Sequence, residues 1–210
     1  MIENRLIKKK SLELEKLCKR DDSWRDKTKN FVPTGIISTA NQIRRIYFHH
    51  KICNDNDWLD QFLKDNITYK WQFLEFLDWF FENKKTDLVI REEMIKTGIV
   101  QVGSVAEGLG VYFIHLLKNC GKVDRDVKKL KFKGCNDLLK SKGIIGDDLF
   151  SGLEQLRERR DKIHIYLQVN EREQAYSESD YFKERMKLLE LADILKSYST
   201  SLLIKKPLDH

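Results

Sequence analysis

A long apolar stretch with helical periodicity, residues 89–119, limits most strongly what this chain can fold into. It contains the sequence IVQVGSVAEGLGVYFIHLL, in which Val100, Ser104, Glu107 and Val111 recur at intervals of three to four residues. This spacing places their side chains on one face of an α-helix. The stretch therefore predicts one long helix that ends near Asn119.

Three glycines interrupt this predicted helix, and each weakens an isolated helix by about 1 kcal/mol relative to alanine. They are Gly103, Gly108 and Gly110. If the helix forms in spite of them, the absence of side chains at these positions has a structural reason. We therefore expect another helix to approach closely at these positions.

Further helical patterns follow downstream, and strand signals are nearly absent. A short helix is predicted at 132–142, with Gly143 in the C′ position that favours a left-handed residue. The next helix is expected to take Asp147 or Asp148 as its N-terminal cap. A last helix is expected at roughly 179–204.

These elements predict an all-α fold, an up-and-down antiparallel helical bundle over 88–204. Residues 1–85 are expected to form an N-terminal helical extension of unknown role, separated from the bundle by the polar stretch ENKKTD at 82–87. No repeat, low-complexity tract or heptad run is visible.

Aromatic side chains are concentrated at 58–83, before the polar stretch. Phe73, Phe76 and Phe80 follow the period of a buried helix stripe. Aromatic clusters also stack on bases, but here the basic residues do not alternate with the aromatics. Core packing or a dimer surface is therefore the favoured interpretation.

The net charge and the cysteine spacing limit the classes of protein to which this chain is expected to belong. A net charge of +6 permits an anionic partner such as nucleic acid, although 39 basic residues are interleaved with 33 acidic ones. Four widely spaced cysteines form no Cys-x-x-Cys pair, so they are expected to be reduced and packed as small hydrophobes. Neither a metal nor another cofactor is expected.

The sequence has no run of 18 consecutive apolar residues and no secretory signal at its amino terminus. No membrane partner is expected, and the cytoplasm is the expected compartment.

One segment carries a set of residues suited to chemistry, LRERRDKIHIYLQ at 156–168. On a helix, Arg160 and His164 are neighbours because they are four residues apart. Arg159 lies five residues before His164, within reach of a long guanidinium, and Tyr166 points further round the helix. The segment thus offers a permanent cation, a group that titrates near neutral pH and a phenol.

This set suits the cleavage of RNA without a metal. That reaction needs a base for the 2′-hydroxyl, an acid for the leaving oxygen and a cation for the charged transition state. Because one helix supplies one histidine, two copies facing each other across a two-fold axis would complete the set. Composition and spacing alone, however, favour a solvated helix face with a satisfied histidine.

The segment resembles the signature of the HEPN superfamily, in which arginine is followed after four residues by histidine. It is also similar to the longer form in HepT-type toxins, with Arg159, His164 and Tyr166 at the matching positions. GSVAEGL at 103–109 resembles the first core helix of the family. The resemblance covers about 90–200.

The resemblance implies a helical bundle that pairs into a homodimer through its motif helices, and RNA as the substrate of a metal-independent endoribonuclease. Such proteins act in toxin–antitoxin, abortive-infection or other defence systems, and some keep the fold without catalysis. By position, Arg159 is the family arginine and His164 the family histidine. Tyr166 matches a tyrosine that a partner nucleotidyltransferase, the antitoxin, modifies with adenylate.

The register of the motif has two alternatives. The residue after the family arginine is typically Asn, Asp or His, and here it is Arg160. A shifted register makes Arg160 the family arginine and Asp161 its polar follower, with only three residues before His164. Glu107 either orients the catalytic arginine across the bundle or forms a structural pair with it.

Three hypotheses about function remain open at this point. The chain is an RNA-cleaving HEPN-type protein, or a non-catalytic HEPN-like module that binds a nucleotide, RNA or a protein partner. The third is a helical interaction protein whose likeness to the superfamily is accidental.

Overall fold

The computed structural model describes residues 43–44, 58–163 and 175–204, which all belong to one compact unit, Ser38–His210. Within these ranges the chain forms α-helices, one 3-10 helix and no strand. The prediction of an all-α helical bundle is confirmed. The elements are α1 (Trp58–Asn83), α2 (Leu88–Asn119), the 3-10 helix Val127–Lys129, α3 (Phe132–Ser141), α4 (Asp147–Ile163) and α5 (Glu178–Ile204).

The central helix is α2, which packs against each of the other four helices. It begins at the residue after Asp87, whose carboxylate accepts a hydrogen bond from the backbone N–H of Val89 at 2.9 Å. It ends in a turn around Gly121, which has a φ of 68°. Its bounds match the prediction from the sequence.

The glycines of α2 lie where neighbouring helices come closest. A Cβ atom on Gly108 would be 2.9 Å from Ile67 of α1, and one on Gly110 would be 3.2 Å from Cys135 of α3. Gly98 faces Tyr181 of α5, whose ring would be 2.7 Å from an added Cβ. The expected close approach of other helices is confirmed.

The contacts also give the directions of the helices. Ile67 lies beside Gly108 and Leu77 beside Gly98, so α1 and α2 are antiparallel. By contrast α2 and α5 run in the same direction, since Gly98 contacts Tyr181 and the ring of Phe113 lies 5.7 Å from that of Tyr198.

Two of the remaining pairs, α3 with α4 and α4 with α5, are antiparallel. Asn136 reaches Glu154 and Lys140 reaches Asp147, so α3 and α4 form an antiparallel pair. Since α4 is also antiparallel to α5, as Gly152–Lys187 and Arg159–Asp180 contacts show, α3 runs in the direction of α2. The strict up-and-down order is therefore broken once, at the long connection 120–131.

The turn between α3 and α4 was predicted in part. Gly143 has a φ of 64°, and Ile144 N–H donates to the carbonyl of Leu139, so Gly143 is the C′ residue as expected. The cap of α4 was not: the first helical hydrogen bond runs from Phe150 N–H to the carbonyl of Gly146. Asp147 lies in the first turn, where its carboxylate pairs with Lys140 at 2.7 Å instead of capping the helix.

Helix α1 is part of the same compact unit as the bundle. Leu74 and Leu77 are fully buried in the shared core, and residues 84–87 form the loop that connects α1 to α2. Two aromatic side chains of α1, Trp71 and Phe81, are buried in this core. Phe73 is 38% exposed, so the buried stripe is one position away from the one expected through Phe73.

A polar network joins α1 to α5 inside this core. The hydroxyl of Tyr181 donates to Asp78 Oδ1 at 2.6 Å, and Arg185 Nε donates to Asp78 Oδ2 at 3.0 Å. The guanidinium of Arg185 lies over the ring of Trp71. These contacts connect the two helices through the carboxylate of Asp78.

By length and composition, α2 is apolar enough to cross a membrane, and among the described residues it alone meets that test. Two thirds of the apolar window, 67%, is buried against the rest of the protein. The core helix of a folded bundle has the same composition.

Candidate functional site

The segment that carries the predicted motif lies on α4. Leu149, Leu153 and Leu156 anchor this helix in the core, each at most 4% exposed. Successive residues on an α-helix are rotated by about 100°, so neighbouring arginines face different helices. Arg159 and Arg160 accordingly contact different neighbouring helices.

Arg160 faces α2 and α3. Its Nη1 donates to Glu107 Oε2 at 2.6 Å, and its guanidinium lies 5.3 Å from the centre of the Phe132 ring. The aliphatic part crosses Gly103, where a Cβ would be 2.9 Å from Cδ. Only 17% of the Arg160 side chain is exposed. Glu107 and Gly103, both in the predicted first core helix, therefore form a seat for Arg160.

Arg159 faces α5. Its Nη1 lies 2.8 Å from Glu184 Oε1 and 3.4 Å from Asp180 Oδ1, and 34% of its side chain is exposed. In the described part of the chain, Nε and Nη2 of Arg159 make no hydrogen bond. One nitrogen of the guanidinium is thus anchored, and its other edge has donors to spare.

Glu184 is the buried partner in this pair, with a side chain that is 0% exposed. Its Oε2 lies 3.1 Å from Lys187 Nζ, which also donates to the backbone carbonyl of Gly152 at 3.3 Å. The carboxylate is therefore held between two cations at the interface of α4 and α5.

Asp180 belongs to the capping arrangement at the start of α5. Its Oδ2 accepts hydrogen bonds from the backbone N–H and the hydroxyl of Ser177, at 3.0 and 2.7 Å. The Ser177 hydroxyl in turn accepts from the Asp180 N–H. The hydrogen bonds from Ser177 hold the pKa of Asp180 below its ordinary value, and Arg159 adds to this.

Asp161 lies close to two arginines of α4, Arg157 and Arg160. It accepts from Arg157 Nη1 at 3.2 Å and lies 3.6 Å from Arg160 Nε. Arg157 also pairs with Glu154 at 2.9 Å. These pairs join residues of α4 to one another and do not reach a neighbouring helix.

Tyr176, just before α5, is buried, and burial raises the pKa of its phenol while the charge of Arg159 opposes this. Tyr176 is not among the site residues predicted from the sequence. The predicted residues His164 and Tyr166 lie outside the described residues, as do all positions of 164–174.

Sequence reasoning also missed Glu184 and Asp180. The signal was present in the last helix, since Glu184 falls in register with Tyr181, Leu188 and Leu191, which are all buried. A carboxylate in a core register requires a cation to pair with it. Only the fold shows that Arg159 supplies it.

No described group of three or more His, Cys, Asp or Glu side chains is placed to hold a metal ion. A cleft between α2 and α5, lined by Leu109, Tyr112 and Leu195, has a volume of about 20 Å³. That is room for a water molecule and far below the size of a pocket for a small-molecule substrate.

The fold and these residues define a class: a helical bundle whose fourth helix presents two arginines, each anchored by a carboxylate of a different neighbouring helix. No family model matches the chain, and comparison with curated proteins and with solved structures likewise gives no match.

Proposed function

We propose that this chain is a metal-independent endoribonuclease of the HEPN type that acts in a toxin–antitoxin or phage-defence setting. The observation that carries the proposal is the anchoring of Arg159. One nitrogen is fixed to Glu184, and among the described residues no acceptor binds the Nε–Nη2 edge of the guanidinium. Paired N–H donors of this kind suit two oxygens of one phosphate.

The roles of the two arginines then differ. Arg159, one-third exposed, is the group that contacts the phosphate, in the register with four residues before His164. Arg160 is the structural brace, because Glu107, Phe132 and the Gly103 backbone enclose it. Glu107 in this assignment positions α4 and does not reach the substrate.

The reaction follows from the chemistry of the motif. The 2′-oxygen of the ribose attacks the adjacent phosphorus while the bond from phosphorus to the 5′-oxygen breaks. His164 removes the 2′-hydroxyl proton, and His164 of a second copy protonates the 5′-oxygen. The products are a 2′,3′-cyclic phosphate and a 5′-hydroxyl. Arg159 stabilises the charge on the phosphate oxygens during the transfer.

This mechanism requires a homodimer, because each chain offers a single motif histidine. The proposed setting also supplies an inhibitory partner, a nucleotidyltransferase that adenylates Tyr166 of the cytoplasmic toxin.

The test is an RNA cleavage assay in EDTA with wild type, Arg159→Ala and His164→Ala. Cleavage by wild type and a loss of at least roughly 100-fold in each variant is the expected result. Arg157→Ala is the matched control, since the described ion-pair partners of Arg157 all lie on its own helix, α4. A 2′-deoxy substitution at the cleaved position should abolish the reaction, and intact RNA with wild type would reject the proposal.

A non-catalytic HEPN-like module that binds RNA, a nucleotide or a protein partner is the second candidate. It is favoured by the charge balance of α4, where Arg157, Arg159 and Arg160 are all paired with carboxylates. Binding of RNA that survives His164→Ala, without cleavage by wild type, would support this candidate.

A further inference from the structure

Glu184 lies next to the predicted motif in the fold but is not part of it. Its side chain is fully buried, although carboxylates are seldom buried unless they are paired. It lies on α5 while the predicted site lies on α4, so nothing in the motif selects it.

Glu184 has a second cationic neighbour besides Arg159. Lys187 lies 3.1 Å from its Oε2, and the same Nζ donates to the carbonyl of Gly152 on α4. Gly152 leaves room for this crossing, since an added Cβ would lie 3.2 Å from Cδ and Cε of Lys187. The backbone of α4, Lys187 and Glu184 therefore form a continuous link that ends at Nη1 of Arg159.

Stability alone is a weak reason for such an arrangement. Removing two charges from water costs several kcal/mol per ion, and replacement of a buried ion pair by apolar residues is often neutral or stabilising. The buried Glu184 carboxylate does fix geometry, because it loses its contact with Arg159 if it rotates away. The partially exposed Asp180, at 3.4 Å, holds Arg159 less tightly.

We infer that Glu184 is a positioning residue for the proposed cleavage, which holds the guanidinium of Arg159 so that its Nε–Nη2 edge faces the phosphate. The inference rests on the proposed function. It assigns Glu184 no contact with RNA; the residue acts through Arg159 alone.

Two variants in two backgrounds test this. Glu184→Met keeps the side-chain volume and removes the carboxylate acceptor. Arg159→Lys keeps the positive charge and removes the paired N–H donors of the guanidinium. In the wild-type background, Glu184→Met should lower kcat roughly 10- to 100-fold with little change in KM, as expected for a misplaced transition-state contact. In the Arg159→Lys background, the same change should lower kcat less than about 3-fold.

The alternatives give different results. If Glu184 is merely structural, both backgrounds lose activity equally, and the inference is overturned while the ribonuclease stands. The same holds if Glu184→Met cleaves as well as wild type. If wild type itself leaves RNA intact, the proposed function fails first, and the inference with it. Thermal melting of each variant shows whether it is folded. If Glu184→Met does not fold, Glu184→Gln replaces it.

Discussion

Arg160 Nη1 donates to Glu107 Oε2 at 2.6 Å and so joins α4 to α2 across a gap of 53 residues in sequence. Both side chains are less than one-third exposed. We expect a double-mutant cycle with Arg160→Met and Glu107→Gln to give a coupling free energy of about 1–2 kcal/mol in urea unfolding. The exposed pair Lys129–Asp126 is the control and should give a coupling near zero. Equal couplings would contradict the structural role of Arg160.

Gly98 should not tolerate a side chain, although alanine favours helices. An added Cβ would lie 2.7 Å from the ring of Tyr181, which is fully buried and unable to move aside. Gly98→Ala is expected to destabilise the protein by about 1–3 kcal/mol. Gly134 of α3 is the matched control, because its Cβ would lie at an ordinary 3.4 Å from Leu130. Gly134→Ala should be neutral or stabilise by up to about 1 kcal/mol.

Asp180 should make the protein sensitive to acid. Ser177 holds the pKa of Asp180 below its ordinary value in the folded state, so the unfolded state binds protons more readily. Its contribution is therefore present above the unfolded pKa of about 3.9 and is lost as the pH falls through the lower folded value. Asp180→Asn should lose less stability between about pH 5 and pH 3 than wild type does.

The control for this prediction is Asp193→Asn, at an exposed position on the same helix. Urea unfolding at several pH values measures both variants. A pH dependence of Asp180→Asn identical to that of wild type would show that the Ser177–Asp180 cap does not persist in solution.

The thiol of Cys135 should react slowly. Burial, together with the charge of Glu107, raises the pKa of Cys135 to about 12, whereas Cys120 is partly exposed. Since the thiolate is the nucleophile, iodoacetamide at about pH 8 should label Cys120 at least roughly 100-fold faster than Cys135. Peptide mass spectrometry separates the two sites. Comparable rates would mean that α3 leaves α2 on the timescale of labelling.

The sequence alone predicts the features that depend on neighbours along the chain. The extent of α2 follows from its apolar period, and Gly143 follows from the rule for helix ends. The stripe through Phe73 fails because α1 has apolar residues in adjacent registers. Either stripe satisfies the period, and only packing selects Leu74 and Leu77 for the core.

For the candidate site too, local features are predicted from the sequence and contacts between helices are not. Periodicity places Glu107, Arg159 and Arg160 on helices, and the spacing within the motif is local. Which arginine meets which carboxylate depends on the direction of α5 relative to α4. With that direction, Glu184 contacts Arg159, while Glu107 of α2 contacts Arg160. No local pattern encodes a pairing between residues 25 positions apart.

The position of α2 at the centre of the bundle has a consequence for synthesis. Ribosomes complete this apolar helix at residue 119, but α5, which covers one side of it, is complete only at residue 204. At about 5–20 residues per second, the nascent chain presents an uncovered hydrophobic helix for several seconds. Chaperones that bind apolar segments would meet α2 during that interval, and truncation before α5 would leave it permanently exposed to aggregation.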